Sequence, residues 1–267
     1  MTALTAASLA GCGGTGAGVP SPRTGRQLAD ALRAWSSFPV SASPRPLVLS
    51  GPRVADPEGF PNGAAKLAYT QGAIHTPAAL PSRPAAAAGF PLISSREAFG
   101  VFAATPAKGA PAVAPLTVTA VRIGTGVFQT DRGPRRLPAW LFGFRGIQDP
   151  AAVLAVAPVR VFSPPGHWAG ALPFITRARL SPDGRTLTVE FAGAASGTGP
   201  CTADYHLRLA DSRTAVAVVV QEHAHGCNGP CPAVAYRRDV TTVLSAPLGA
   251  RVLVDAVSGT AVTVTPR

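Results

Sequence analysis

Apolar residues recur with helical spacing in two short stretches of the first hundred residues. In residues 24–38 the apolar positions fall at i, i+3, i+4 and i+7, which is the pattern of one buried helix face. Those positions are Leu28, Ala31, Leu32 and Trp35. Thr24 and Gln27 precede them at capping-box spacing, and Ser94 and Glu97 repeat that spacing before a second apolar group. The pattern therefore predicts a helix over 24–38 and another that begins near Ser94.

The pattern changes to the period of a strand at residue 116. Residues 116–129 alternate between apolar and polar positions, whereas residues 137–144 are apolar on both faces, which is typical of a central strand. Residues 151–162 supply another apolar strand. Residues 56–91 are rich in Pro, Gly and Ala and predict a long irregular segment. Residues 26–165 are thus expected to form a lobe of short helices and an antiparallel meander.

Strands continue to the C-terminus without further helical spacing. Residues 178–191 predict a hairpin that turns at Pro182-Asp183-Gly184, and residues 205–223 predict a second hairpin centred on Asp211-Ser212. Short strands at this spacing, joined by tight turns, indicate a sandwich or an open barrel. The predicted fold class is α+β, with residues 166–267 forming an all-β, sandwich-like lobe.

The N-terminal stretch Leu9-Ala10-Gly11-Cys12 resembles the lipobox of bacterial lipoproteins. The resemblance implies that residues 1–11 are the end of a signal peptide and that Cys12 carries acyl chains on the mature protein. No Lys or Arg precedes Cys12, so this leader is shorter than a complete one and is interpreted as truncated. Residues 12–25 are rich in Gly and Pro and are predicted to form a flexible, lipid-anchored tether.

Charge and apolar content limit the partners of the chain. It carries 24 basic and 13 acidic residues, for a net charge of +11, and only Lys66 and Lys108 are lysines. No run of about 18 apolar residues occurs, so attachment to a membrane is expected through lipid alone. An extracytoplasmic basic protein meets anionic headgroups and wall polymers, and no nucleic acid partner is expected. The tight arginine groups at 177/179 and 237/238 are interpreted as solvated surface.

The segment Gln221 to Ala233, QEHAHGCNGPCPA, concentrates the residues that could bind a metal. His223 and His225 point to one face if the preceding strand continues, because side chains alternate along a strand. Together with Cys227 they would form a three-ligand set for Zn or Cu, which Glu222 could orient or complete. The spacing matches no standard zinc template, and a polar loop closed by a disulfide is the simpler interpretation. No cofactor is therefore expected, and metal binding is kept as an alternative.

Three cysteines remain for disulfide formation if Cys12 is acylated. Counting across a turn at Asp211-Ser212 places Cys201 opposite Gln221 or Glu222, close to the segment that carries Cys227 and Cys231. Cys201–Cys231 is the preferred pair, because Cys231 directly precedes the next strand. Cys201–Cys227 is the alternative.

The chain lacks the common catalytic motifs, including G-x-S-x-G, H-E-x-x-H and a Walker lysine loop. The C-terminal stretch Ala246 to Val262 is similar to a module of uncharacterised secreted lipoproteins from high-GC bacteria, a resemblance that implies a compartment and an architecture but no activity. The sequence therefore predicts a lipid-anchored envelope protein that serves as a binding or structural module. An envelope metal-binding protein is the alternative, and a hydrolase with a site assembled from distant residues is a third.

Overall fold

A computed structural model describes residues 22–75, 79–82, 86–102, 113–164, 174–226 and 229–266. The fold is α+β, as the periodicities predict, and the helices among these residues are α1 (Pro22–Ala34), α2 (Gly63–Thr70) and α3 (Ser95–Phe102). With 13, 8 and 8 residues, each of them is shorter than the roughly 20 residues that a membrane-spanning helix needs. The predicted leader and tether, including Cys12, lie outside the described residues.

The chain divides into two compact units. The central unit comprises residues 38–164, and the terminal unit comprises residues 22–37 together with 174–266. The sequence interpretation differs in one respect, because it placed residues 26–37 in the same lobe as the meander. The structure instead packs α1 against strands of the terminal unit.

The central unit is built on a five-stranded sheet. Its strands in chain order are β1 (Leu47–Val48), β2 (Val54–Ala55), β3 (Ile74–His75), β4 (Ala86–Ala87), β5 (Phe90–Pro91), β6 (Leu116–Thr130), β7 (Gly133–Phe144), β8 (Ala151–Leu154) and β9 (Val161–Phe162). The large sheet has the order β2-β8-β7-β6-β3, and β1–β9 and β4–β5 form two small ladders. Strand β7 lies at the centre, as its apolar faces predict: Trp140 packs in one cluster and Leu137 in another.

Capping interactions set the start of the two helices of the central unit. At α3 the Ser94 N–H donates to Glu97 Oε2 at 2.7 Å, and the Glu97 N–H donates to Ser94 Oγ at 3.1 Å, which confirms the predicted capping box. Helix α2 lies inside the segment predicted to be irregular, so that part of the prediction is wrong. Asn62 caps α2 by accepting from the Ala65 N–H at 2.9 Å. Helix α2 has eight residues, as α3 does, but Ala65 stands where a capping box needs Glu or Gln, so the sequence carries a weaker signal there.

The terminal unit consists of two sheets and one helix. Its strands are β10 (Ile175–Leu180), β11 (Thr186–Gly193), β12 (Thr202–Asp211), β13 (Ala215–His225), β14 (Tyr236–Val243), β15 (Val252–Asp255) and β16 (Val264–Pro266). One sheet has the order β14-β11-β10-β16 and the other β12-β13-β15. Their facing side chains share one apolar core, which includes Leu187 and Phe191 from the first sheet and Val216 and Leu253 from the second. This is the sandwich-like arrangement that the strand spacing predicts.

Helix α1 covers the other face of the β12–β13 pair. The side chains of its apolar stripe are buried at Leu28, Ala31 and Trp35, and Trp35 Nε1 donates to the carbonyl of Gly259 at 3.1 Å. The predicted N-cap is wrong, because α1 already includes Pro22. Buried Thr24 accepts a hydrogen bond from Gln221 Nε2 instead. The stripe was recognisable in the sequence, but its packing partner was not.

Candidate functional site

The β12–β13 hairpin positions the residues of the predicted metal and disulfide sites. Its last ladder pair is Asp211 with Val216, and the ladder runs back to Thr202 opposite His225. The Cys201 N–H then donates to the carbonyl of Gly226 at 3.2 Å. The predicted register, which placed Cys201 opposite Gln221 or Glu222, is therefore wrong by about four residues. The turn is wider than expected, because Ser212 Oγ accepts from the Ala215 N–H. Moving the centre of the turn by two residues moves each cross-strand partner by four.

A disulfide joins Cys201 to Cys231, with their Cα atoms 5.4 Å apart. This is the pair preferred from the sequence, and Cys227, the alternative partner, lies outside the described residues. Cys201 has a left-handed backbone conformation, with φ of 64°, which residues other than glycine rarely adopt. The disulfide therefore ties an unfavourable backbone position at the start of β12 to the segment that precedes β14.

A cavity of about 330 Å³ lies beside this disulfide. Three segments form it: the connection from β11 to β12, the end of β13, and the chain from the disulfide to β14. Its lining residues are Ala194, Ala195, Pro200, Cys201, Thr202, Glu222, Ala224, Gly226, Cys231, Pro232, Val234 and Tyr236. We call it the disulfide cavity. Its volume is at the small end of the range for small-molecule sites, and Glu222 is the one charged side chain in this lining.

Tyr205 holds the Glu222 carboxylate from the core side. The Ala194 N–H donates to Tyr205 Oη at 2.7 Å, and the Tyr205 hydroxyl donates to Glu222 Oε2 at 3.3 Å. Burial raises the pKa of the Tyr205 hydroxyl and the Glu222 charge raises it further, so the hydroxyl keeps its proton as a donor. Gly193 makes this arrangement possible, because a Cβ at that position would lie 2.6 Å from Tyr205 Oη.

The histidines of the predicted metal site lie on the opposite face of β13 from Glu222. His223 and His225 share that face as predicted, with ring centroids 5.6 Å apart, and His225 Nε2 is hydrogen-bonded to Asp204 Oδ2 at 2.9 Å. Glu222 hydrogen-bonds to core-facing Tyr205, so strand alternation excludes its proposed role beside the two imidazoles. Within the described part of the chain, no group of three or more His, Cys, Asp or Glu residues is arranged to hold a metal. The third predicted ligand, Cys227, is not among those residues.

Three of the clustered arginines surround one carboxylate. Arg177, Arg179 and Arg237 all pair with Glu190, whose side chain is 12% exposed. Burial acts to raise the pKa of Glu190, but hydrogen bonds from Arg177 and Arg237 outweigh it and hold the pKa below its ordinary value. These three arginines therefore form ion pairs in addition to facing solvent, and Glu190 neutralises part of their charge. Arg238 instead stacks on Tyr205, 5.4 Å from the ring centroid, and donates to the carbonyl of Ala194.

The lining of the disulfide cavity is mostly apolar, with Glu222 and Thr202 among its few polar side chains. Thr202 lies in this lining, and its one hydroxyl proton is shared between the carbonyls of Gly197 and Gly199, which lie 2.8 and 2.6 Å from Oγ1. The residues that line the cavity include no histidine, so they do not assemble the carboxylate, imidazole and nucleophile that a hydrolase of the predicted kind needs. Sequence reasoning singled out Glu222 but missed Tyr205 and Gly193. The correct cross-strand register, which pairs Tyr205 with Glu222, was the signal that could have identified Tyr205.

Comparison with known proteins adds no functional assignment to this geometry. No family model, no curated protein and no solved structure matches the chain.

Proposed function

We propose that this protein is a lipid-anchored binding module of the cell envelope, which takes a small ligand in the disulfide cavity. The observation that carries the binding role is the cavity itself, with apolar walls, a single oriented carboxylate and a disulfide at its edge. Small-molecule sites in proteins combine these features: a mostly apolar concave surface and a few fixed polar groups.

The location outside the cytoplasm is supported by two independent features. The lipobox-like Leu9-Ala10-Gly11-Cys12 resembles the attachment site of bacterial lipoproteins, and the Cys201–Cys231 bridge is of a kind that persists in oxidising compartments. The membrane is then reached through acyl chains on Cys12. The net charge of +11 favours contact with anionic headgroups or wall polymers over contact with cationic surfaces.

Replacing Cys12 by serine is expected to move the protein from the membrane fraction to the soluble fraction. Serine cannot form the thioether that carries the diacylglycerol, and more than one acyl chain is needed for stable anchoring. Fractionation and mass spectrometry of the protein expressed behind a complete leader measure this, with Cys227→Ser as the control that keeps its membrane attachment. A wild-type mature chain that begins upstream of Cys12 and carries no acyl group would refute the anchor.

Filling the disulfide cavity is expected to abolish ligand binding without unfolding the protein. Ala224 lines the cavity and is exposed, so Ala224→Leu places a larger side chain in the space a ligand would occupy. Three probes of one size, benzylammonium, benzyl alcohol and benzoate, are titrated into the full chain while the amide resonances of Ala224 and Gly226 are followed.

At least one probe is expected to shift these resonances in the wild type and none in Ala224→Leu. Ala233→Leu is the matched control, because Ala233 is exposed in the adjoining segment but is not a lining residue, so binding should persist. If no probe binds the wild type, or if binding survives in Ala224→Leu, the cavity is not the ligand site.

A further inference from the structure

We propose that the disulfide cavity selects an organic ammonium ion with a short apolar body. This inference rests on the proposed binding function and names the class of ligand for the same site. It follows from the charge, the hydrogen-bonding capacity and the apolar surroundings of Glu222.

The Glu222 carboxylate has no cationic partner among the residues that the structure describes. Every described aspartate or glutamate that forms an ion pair is a different residue, and the hydrogen bond recorded for Glu222 is the one it accepts from Tyr205. Arg238 lies near, but its guanidinium is stacked on Tyr205 and donates to the carbonyl of Ala194. Glu222 is an exposed residue of this mostly apolar lining. A carboxylate without a counter-ion at such a place is complementary to a ligand that brings one.

The single recorded hydrogen bond of Glu222 leaves acceptor capacity on its carboxylate. A carboxylate offers about four lone-pair directions, and the Tyr205 hydroxyl uses one of them on Oε2 at 3.3 Å. That contact restrains the carboxylate without neutralising it, because the Tyr205 hydroxyl keeps its proton. An ammonium group carries three donors and no acceptor, so it matches the remaining lone pairs, whereas a second carboxylate would be repelled.

The other lining residues match the apolar part of such a ligand. Alanine, proline, valine and the disulfide form most of the wall, and Val234 and Tyr236 are 55% and 50% exposed. The Tyr236 ring adds a π face that attracts a cation within about 6 Å. The lining itself therefore carries one negative charge on a chain whose net charge is positive, and at physiological ionic strength charges more than about 8 Å away are largely screened.

The three probes of equal size separate this inference from the proposed function. Benzylammonium is expected to bind with a Kd in the millimolar range. Its affinity should be at least about tenfold higher than that of benzyl alcohol, because the ammonium forms a charge-assisted hydrogen bond with Glu222. Benzoate should bind most weakly of the three. In Glu222→Gln, which keeps the shape and an acceptor for Tyr205, that preference over benzyl alcohol is expected to disappear. Glu58→Gln, which removes an exposed carboxylate from the central unit, should leave it unchanged.

Each outcome has one meaning. Equal or tighter binding of benzyl alcohol or benzoate, or a preference for ammonium that survives in Glu222→Gln, overturns the ammonium inference while the cavity remains a binding site. Absence of binding by all three probes overturns both proposals. Loss of benzylammonium binding in Glu222→Gln with benzyl alcohol binding retained supports the inference and also shows that the variant cavity is still formed.

Discussion

Asp131→Ala is expected to destabilise the central unit by about 3 kcal/mol, because breaking a buried ion pair removes the charge that compensates its partners. The Asp131 side chain is 3% exposed and accepts from both terminal nitrogens of Arg45, with 3.2 Å between Arg45 Nη1 and Asp131 Oδ1. The same Arg45 guanidinium lies 4.8 Å from the centroid of the Phe38 ring, so Arg45 connects Phe38 to the Asp131 carboxylate.

Arg132 adds to the expected loss. Burial lowers the pKa of its guanidinium, the Asp131 charge opposes that lowering, and the nearby Arg45 charge reinforces it. Removing Asp131 would leave two cations close together in a partly desolvated place. The expected loss of stability lies at the lower end of the range for broken buried ion pairs, because the side chains of Arg45 and Arg132 are 24% and 31% exposed.

Native-state hydrogen exchange of the β6 and β7 amides measures this prediction in the unit concerned. Asp149→Ala is the matched control, since Asp149 is an exposed aspartate of the same unit and its removal should change stability by less than about 0.5 kcal/mol. Equal protection in Asp131→Ala and Asp149→Ala would show that the Asp131 ion pair contributes little net stability.

Removing the disulfide with Cys201→Ser and Cys231→Ser is expected to lower the stability of the terminal unit by about 3–4 kcal/mol in the chain-entropy treatment. The bridge closes a segment with a sequence separation of 30, and it restrains the unfolded chain over that length. Because both cysteines also line the disulfide cavity, the double variant should bind the three probes more weakly as well.

Urea unfolding and hydrogen exchange of the β12 and β13 amides measure the loss. Changing both cysteines at once prevents Cys227 from pairing with a remaining thiol. Cys227→Ser is the control and should unfold like the wild type. A Cys227→Ser variant as unstable as the double variant would show that Cys201 pairs with Cys227 in solution.

Local patterns predicted those parts of the fold that depend on neighbouring residues. The Ser94–Glu97 capping box, the two apolar faces of β7 and the common face of His223 and His225 all follow from groups within a few positions of one another. Short-range hydrogen bonds and the alternation of strands act over just such distances. The same reasoning missed α2, where the signal is one cap residue and two helical turns.

The register of β12 against β13 shows how a small local error propagates. The chain alone showed two strands and polar residues between them, but the width of the turn depends on the hydrogen bonds of Ser212. Because the centre of the turn was placed two residues too early, the sequence analysis did not pair Tyr205 with Glu222. The hydrogen bond that orients the Glu222 carboxylate was therefore not predicted. The candidate site was therefore predicted as a segment, with Glu222 given a role beside two histidines that lie on the other face of β13.

By itself, the sequence determined the α+β class, most strand positions, the lipobox-like stretch at Cys12 and the preference for Cys201–Cys231. Only the tertiary structure decided that α1 packs in the terminal unit, where Trp35 donates to the carbonyl of Gly259, 224 residues later. It also decided that segments from three parts of the chain line one cavity, with Glu222 among the lining residues. The physical reason is that an apolar stripe requires burial but does not specify its partner. Burial of apolar area is non-directional, and the partner is chosen by the packing of the whole unit.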